Sequence, residues 1–422
     1  MLIFPIVLIS FVAGLTRYIT KTWISPGAFF AFCWSFFVIV PTIFATDYKI
    51  DHLALWFITI FTMAIATGSI VAYSKNSVKS IYTKCALSDT NYKFHLYVLI
   101  FFTFISFFGI YSLFLYATNI YGSINYENNW MIIPNMIAID RYSGGLDYPS
   151  IITYSLYFIY PASLLAGLLF GSLEKSKKTK GFLITPLIAA ILLGMIEGAR
   201  SSILLSLVLF FSAWLSTLRF KQKFLVLKRP LLKITFQFGS ILILFIIFFV
   251  VIQWLRQGMD TIIFELLIDR IRAYFFGYLA AFSKWFVGME YFNLNVDFGL
   301  ITFAGPFNLI GVMERPLGFY QPVNITTGIS TNIFTAFRGI ITDFSILGAI
   351  IIAFITGFAA QIIFQKNDQK TLFSTVPVSM FYAFTLYSPL ISIFHYNSIL
   401  FSWFILLMVL KFANYESVDS HS

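Results

Sequence analysis

Three arginines stand where a charge is hard to keep: Arg200 in "LLGMIEGARSSILLSLVLFF", Arg270 in "TIIFELLIDRIRAYFF", and Arg338 in "TNIFTAFRGIITDFSILGAI". An ionisable group set in an apolar run is costly without a partner, which makes each a functional candidate. A guanidinium presents a planar fork of donors matched to carboxylate and phosphate oxygens, so the chemistry available to these residues is to hold an anion. Groups able to take a proton lie nearby in sequence. Glu197 precedes Arg200 by three residues and Asp343 follows Arg338 by five, while Glu290 and His395 stand alone. Plainer readings exist for Arg200 and Arg338, Glu197 pairing with Arg200 across a turn and Arg338 snorkelling at a membrane surface; near Arg270, it is Arg272 that has the plain reading, as a partner of Asp269 on a helix face.

The elements that must position these groups are membrane helices. The chain is 59% hydrophobic and 11% charged over 422 residues, a composition no water-soluble surface can carry. Apolar runs of about 20 residues, the length needed to cross a bilayer, recur from end to end. They predict an all-α, polytopic membrane bundle of about eleven transmembrane helices, forming a single membrane-embedded domain over 1–422. The spans are expected near 2–18, 26–45, 53–73, 95–117, 150–170, 182–198, 201–218, 234–255, 340–364, 372–390 and 395–412. The first of these has no basic residues ahead of it and no small-residue cleavage site, so it reads as a retained helix rather than a signal peptide. Cys33 lies in an apolar segment and Cys85 in a Lys-bearing loop, so the two cysteines form no disulfide framework.

Charge orients the bundle. Alternate connecting segments hold 19 of the 28 Lys and Arg, which makes them cytoplasmic and places the N-terminus outside and the C-terminus inside. The net charge of +10 is thus a topology signal and gives no support to nucleic-acid binding. Inside, 16 of the 19 basic residues are Lys; outside, seven of nine are Arg, namely Arg141, Arg200, Arg256, Arg270, Arg272, Arg315 and Arg338. A chain that uses Lys wherever any cation serves, yet Arg on one face, points to an anion bound on that outer face.

Two outer loops are long, 118–149 and 256–339. The first is rich in Asn, Tyr, Trp and Gly, which suits sugar rings and hydroxyls but also suits any ordered loop. The second contains "RQGMDTIIFELLIDRIRAYFFGYLAAFSKWFVG", with Asp260 as a helix cap, Glu265, Asp269 and Arg272 on one helical face, and Arg270 opposite, among apolar neighbours. Its continuation, "YFFGYLAAFSKWFVGMEYF", reads as an interfacial or re-entrant helix. The 182–218 run is too long for one span and right for two joined at "EGAR", where Gly198 and Ala199 allow close approach. No P-loop, dinucleotide-binding turn, HExxH or Cys/His cluster is present, so a nucleotide-sugar donor, a catalytic metal and a cofactor have no support in the sequence.

The "EGARSSILL" turn, the outer loop with "YFFGYLAAF", the closing "STNIFTAFRGIITDFSILGAI" and the early "SPGAFFAFCW" together resemble the oligosaccharide repeat-unit polymerases of the Wzy type, the O-antigen polymerases. The Arg-then-Gly-eleven-residues-on motif of some members is met by none of Arg200, Arg270, Arg272 or Arg338. The resemblance implies a metal-independent glycosyltransferase of the bacterial inner membrane, active on the periplasmic face. It would move a growing glycan from undecaprenyl diphosphate to the next undecaprenyl-diphosphate-linked oligosaccharide, with a chain-length-regulating co-polymerase as partner and membrane lipid around it. In such a transfer charge develops on the departing diphosphate, and preorganised guanidinium donors can absorb it. Arg200, Arg270 and Arg338 are the expected clamp, with Arg256, Arg272 and Arg315 as weaker members or acceptor-side contacts. Asp343 is the first candidate for the base, ahead of Glu197, Glu290 and His395. A lipid-linked oligosaccharide flippase and an O-antigen ligase remain open, the former disfavoured by the absence of internal repeats. A membrane acyltransferase is a further alternative, without a His-bearing signature to carry it.

Overall fold

A computed structural model of the chain describes residues 2–75, 89–121, 133–143, 148–172, 181–219, 247–255, 264–289, 296–314, 319–365 and 372–419. The elements in chain order are α1 (Ile3–Thr20), α2 (Pro26–Phe44), α3 (His52–Lys75), α4 (Asp89–Tyr121), α5 (Ile133–Ser143), α6 (Ser150–Tyr157), α7 (Ile159–Ser172), α8 (Thr185–Glu197), α9 (Ser201–Leu218), α10 (Phe264–Gly288), α11 (Ala304–Leu309), the hairpin β1 (Val323–Thr326) and β2 (Ile329–Thr331), α12 (Ala336–Gln365), α13 (Thr375–Tyr387) and α14 (Asn397–Asp419). The protein is helical, as its composition demands, and the small antiparallel hairpin, turned at Gly328 (φ 79°), is an addition the sequence reading lacked.

Among the described residues seven helices are long and apolar enough to cross a membrane: α1, α2, α3, Tyr92–Tyr121 within α4, Ser150–Gly171 across α6 and α7, α9, and α12. The expected count of about eleven is not confirmed among the described residues. Over 182–198 the helix waits for Pro186 in its first turn, and α8 has 13 residues, about 20 Å at 1.5 Å per residue against a hydrocarbon core of about 30 Å. Similarly, 372–390 yields a 3-10 turn and the 13-residue α13. Most of 234–255 lies outside the described residues. The step between α6 and α7 falls four residues before Pro161, whose ring crowds the carbonyl of Tyr157 and which has no N–H to give it.

The chain divides into two compact units. The first comprises Met1–Lys84, Leu218–Phe220 and Asp269–Leu400; the second comprises Cys85–Thr217, Lys221–Ile268 and Phe401–Ser422. In the first, α1, α2, α3, α12 and α13 pack on one another, and α3 and α12 touch backbone to backbone. A Cβ on Gly68 would lie 2.1 Å from the Phe354 carbonyl oxygen, and one on Gly357 would lie 2.1 Å from that of Ile65. Only glycine permits that approach, the usual basis of tight helix pairs in lipid, where burying apolar surface drives nothing. α10 is fastened to the same unit by polar contacts. Pro41 inside α2 leaves the Phe37 carbonyl without its helical donor, and the Tyr278 hydroxyl takes it at 2.5 Å. Lys284 donates to the Asn324 carbonyl of β1 at 3.2 Å. In the second unit α4 packs against α5, α6, α7 and α8.

Candidate functional site

In the first unit the chain around Arg338 folds as a nest of aromatic rings. The guanidinium carbon lies 4.1 Å from the ring centre of Tyr320, 4.1 Å from that of Phe334 and 5.4 Å from that of Trp285. These rings come from three places: α10, the segment ahead of the hairpin, and the segment just before α12. Arg338 itself is half-buried in the first turn of α12. Among the described residues no carboxylate lies within ion-pairing distance of it. Ring faces stabilise a cation electrostatically, typically by about 0.5–2 kcal/mol each, without engaging the N–H donors at its edge.

Tyr320 closes one side of this nest. Its hydroxyl is buried and has no hydrogen-bond partner among the described residues. Burial pushes the phenol above its ordinary pKa; the nearby Arg338 charge works against that rise and Asp343 adds to it. The α12 residue beside it is Gly339, on which a Cβ would stand 3.3 Å from the Tyr320 oxygen.

Asp343 is buried and turned away from Arg338, as a five-residue spacing of about 140° around a helix requires. Its two oxygens accept the backbone N–H groups of Ile301 (2.9 Å) and Thr302 (2.7 Å). The backbone completes the junction: Asp297 and Phe298 N–H donate to the carbonyls of Thr342 (3.3 Å) and Asp343 (3.0 Å). Those carbonyls are free because α12 breaks at Ser345, which has φ 64° and ψ 174°. The expected base is therefore engaged as an anchor that holds the 297–302 turn against a broken helix. His395 meets the same turn, with its Nδ1 3.2 Å from the Ile301 carbonyl and its ring edge-on to Phe319, 4.8 Å between centres. A carbonyl oxygen can only accept, so Nδ1 is the donor in that contact.

Arg272 is committed elsewhere. It pairs with Asp47, not with the expected Asp269, and donates to the Phe44 carbonyl at the end of α2 (3.2 and 3.3 Å), over the ring of Tyr48. A cation on the C-terminal carbonyls of a helix is placed to complement its dipole. Arg270 is exposed on α10.

Glu197 and Arg200 belong to the second unit. α8 ends at Gly198, in the left-handed region at φ 58°, so "EGAR" is the expected tight turn. The internal Glu197–Arg200 pair does not form. Glu197 meets Arg141 of α5 at 2.9 Å, and Arg141 also reaches the Tyr148 hydroxyl at 3.5 Å. Burial opposes the Arg141 charge, yet Glu197 and Tyr148 outweigh it and hold its pKa above the ordinary value. Tyr148 is pushed up to about 12, by burial first and by Glu197 next. Arg200 lies over Phe249, 4.7 Å from the ring centre. Arg256, Glu290 and Arg315 lie outside the described residues.

Sequence reasoning singled out Arg338 but not Trp285, Tyr320 and Phe334, the rings that surround it. Aromatics are so frequent in this chain, 52 Phe and 23 Tyr, that no local signal marks these three. No protein-family model, curated protein or solved structure matches the chain.

Proposed function

We propose that the chain is an integral-membrane glycosyltransferase that polymerises undecaprenyl-diphosphate-linked oligosaccharide repeats on the periplasmic face of a bacterial inner membrane. The observation that carries this reading is Arg338: a half-buried guanidinium, held face-on by aromatic rings, with no carboxylate beside it among the described residues, in the first turn of a long apolar helix. Such a group awaits an anion, and at the end of a membrane helix the fitting anion is the diphosphate of a lipid carrier. In the transfer, an acceptor hydroxyl attacks the anomeric carbon of the donor glycan and the bond to the diphosphate oxygen breaks. The leaving group departs as undecaprenyl diphosphate. Arg338 stabilises the charge growing on its oxygen, and the acceptor proton passes to a base for which Nε2 of His395 is the candidate. Asp343 serves as a positioning residue, tying the turn that carries Ile301, and with it His395, to α12. The aromatic frame offers ring faces to sugars as well as to the cation.

Deletion in the native host with complementation by Arg338→Lys tests the reading. Lys keeps the charge but loses the fork, so polymer formation should fall by about 100- to 1000-fold, the usual consequence of removing one preorganised donor. Deletion should leave lipopolysaccharide capped by a single repeat. Wild-type polymer length and amount with Lys at 338 would end the assignment, and bare core on deletion would indicate a ligase instead.

A further inference from the structure

The Tyr320 hydroxyl has no part in the proposed transfer, and we infer that it is a second donor to the pyrophosphoryl group bound at Arg338, which makes Tyr320 a substrate-contacting residue. This inference rests on the proposed function for its ligand but on separate atoms for its argument. A buried hydroxyl without a hydrogen bond is expensive, and buried polar groups in folded proteins nearly always have partners. Tyr320 is 8% exposed, and its hydroxyl has none among the described residues. Phenylalanine would fill the same volume without that cost, so packing alone does not account for a tyrosine here. Two neighbours indicate what the hydroxyl is for. Arg338 lies against the face of the same ring, so an anion drawn to the guanidinium edge comes up beside the phenol. Gly339, next along α12, has no side chain to cover the oxygen, and any Cβ there would stand 3.3 Å from it. A tetrahedral phosphoryl group presents several acceptor oxygens and can receive both donors, whereas a carboxylate is already served by the guanidinium fork alone. Trp285 and Phe334 complete an apolar wall that strengthens both bonds by excluding water.

The substitution Tyr320→Phe gives the inference an unusual signature. Removal of an orphaned hydroxyl should leave the thermal midpoint of the purified protein unchanged or raise it. Affinity for a short-chain prenyl diphosphate, measured by calorimetry in detergent, should fall about tenfold or more, as expected for loss of one hydrogen bond to a charged group. Inorganic pyrophosphate, run in parallel, should show a fall of the same factor. A fall seen only with the prenyl compound would place the phenol on the lipid rather than on the phosphoryl oxygens and would overturn the assignment. Equal affinity of Tyr320→Phe and wild type for both probes would overturn it too, as would absence of pyrophosphate binding by the wild type. Polymer analysis in the deletion strain keeps the two claims separate. If deletion leaves polymer intact while Tyr320→Phe still weakens pyrophosphate binding, the polymerase reading fails and the two-donor site stands.

Discussion

Replacement of Asp343 by Asn separates anchoring from proton transfer. In the folded protein each carboxylate oxygen receives one backbone N–H, from Ile301 at 2.9 Å and from Thr302 at 2.7 Å, and the group is fully buried. Hydrogen bonds to a charged acceptor contribute about 1.5–3 kcal/mol each. Asn keeps one acceptor oxygen but turns an amide N–H₂ toward the other backbone N–H, so one bond is lost and a donor faces a donor. The cost of that bond is partly offset because a neutral amide is easier to bury than a carboxylate. The balance is a loss of about 2 kcal/mol of stability, read as a lower thermal midpoint in detergent at a fixed scan rate. On the proposed function, polymer formation should fall in parallel, since the 297–302 turn supplies the carbonyl that orients His395. A proton-accepting Asp343 predicts a different pair of results: turnover abolished, midpoint unchanged or raised. That second pair, measured on purified protein, would refute the anchoring argument.

Two further substitutions test the described geometry. Ser345 occupies a backbone region nearly reserved for glycine, at a cost of about 1–3 kcal/mol, while its Oγ accepts the Gly348 N–H at 3.4 Å as a helix cap. Ser345→Gly should stabilise by about 1 kcal/mol or more, because Gly in place of a capping Ser costs only a few tenths; Ser345→Ala, which keeps the strain and loses the cap, should destabilise by about 1 kcal/mol in the same melt. At the Arg141–Glu197 pair, with side chains 23% and 13% exposed, removing either charge alone should cost about 3 kcal/mol. Arg141→Met with Glu197→Leu should recover most of that loss, and a double-mutant cycle with no coupling between the two positions would show the pair to be incidental.

What the sequence made legible followed from local rules. Apolar runs marked the helices long and apolar enough to cross a membrane, and Gly198 marked the turn between α8 and α9 because a left-handed residue ends a helix. The misreadings concern partners. Sequence proximity suggested Asp269 for Arg272 and Arg200 for Glu197, but the fold supplied Asp47, more than 200 residues away, and Arg141 from another helix. Asp343 looked like a free carboxylate beside an arginine. Its donors, the Ile301 and Thr302 N–H groups, lie about forty residues earlier, and the break at Ser345 that frees the neighbouring carbonyls for the same turn has no proline or glycine at its centre. Seven of the expected spans appear as long apolar helices among the described residues; hydropathy registers an apolar run whether a long helix forms on it or, as in α8 and α13, the helix covers only 13 residues.

The contrast between Arg272 and Arg338 explains why one arginine is a candidate for chemistry and the other is not. Both lie over tyrosine rings, Tyr48 at 5.1 Å and Tyr320 at 4.1 Å. Arg272 also spends its edge on a carboxylate and a helix-terminal carbonyl, so its charge is paired where it stands and four of its five N–H donors are engaged. Arg338 has three rings and no carboxylate among the described residues, so its charge is accommodated through the faces alone. An ion pair would have held Arg338 more tightly, but a ligand would then have to break it before binding. A π-framed guanidinium is positioned in advance with its hydrogen bonds still to be made, and that preorganisation is what stabilising a departing phosphoryl group requires.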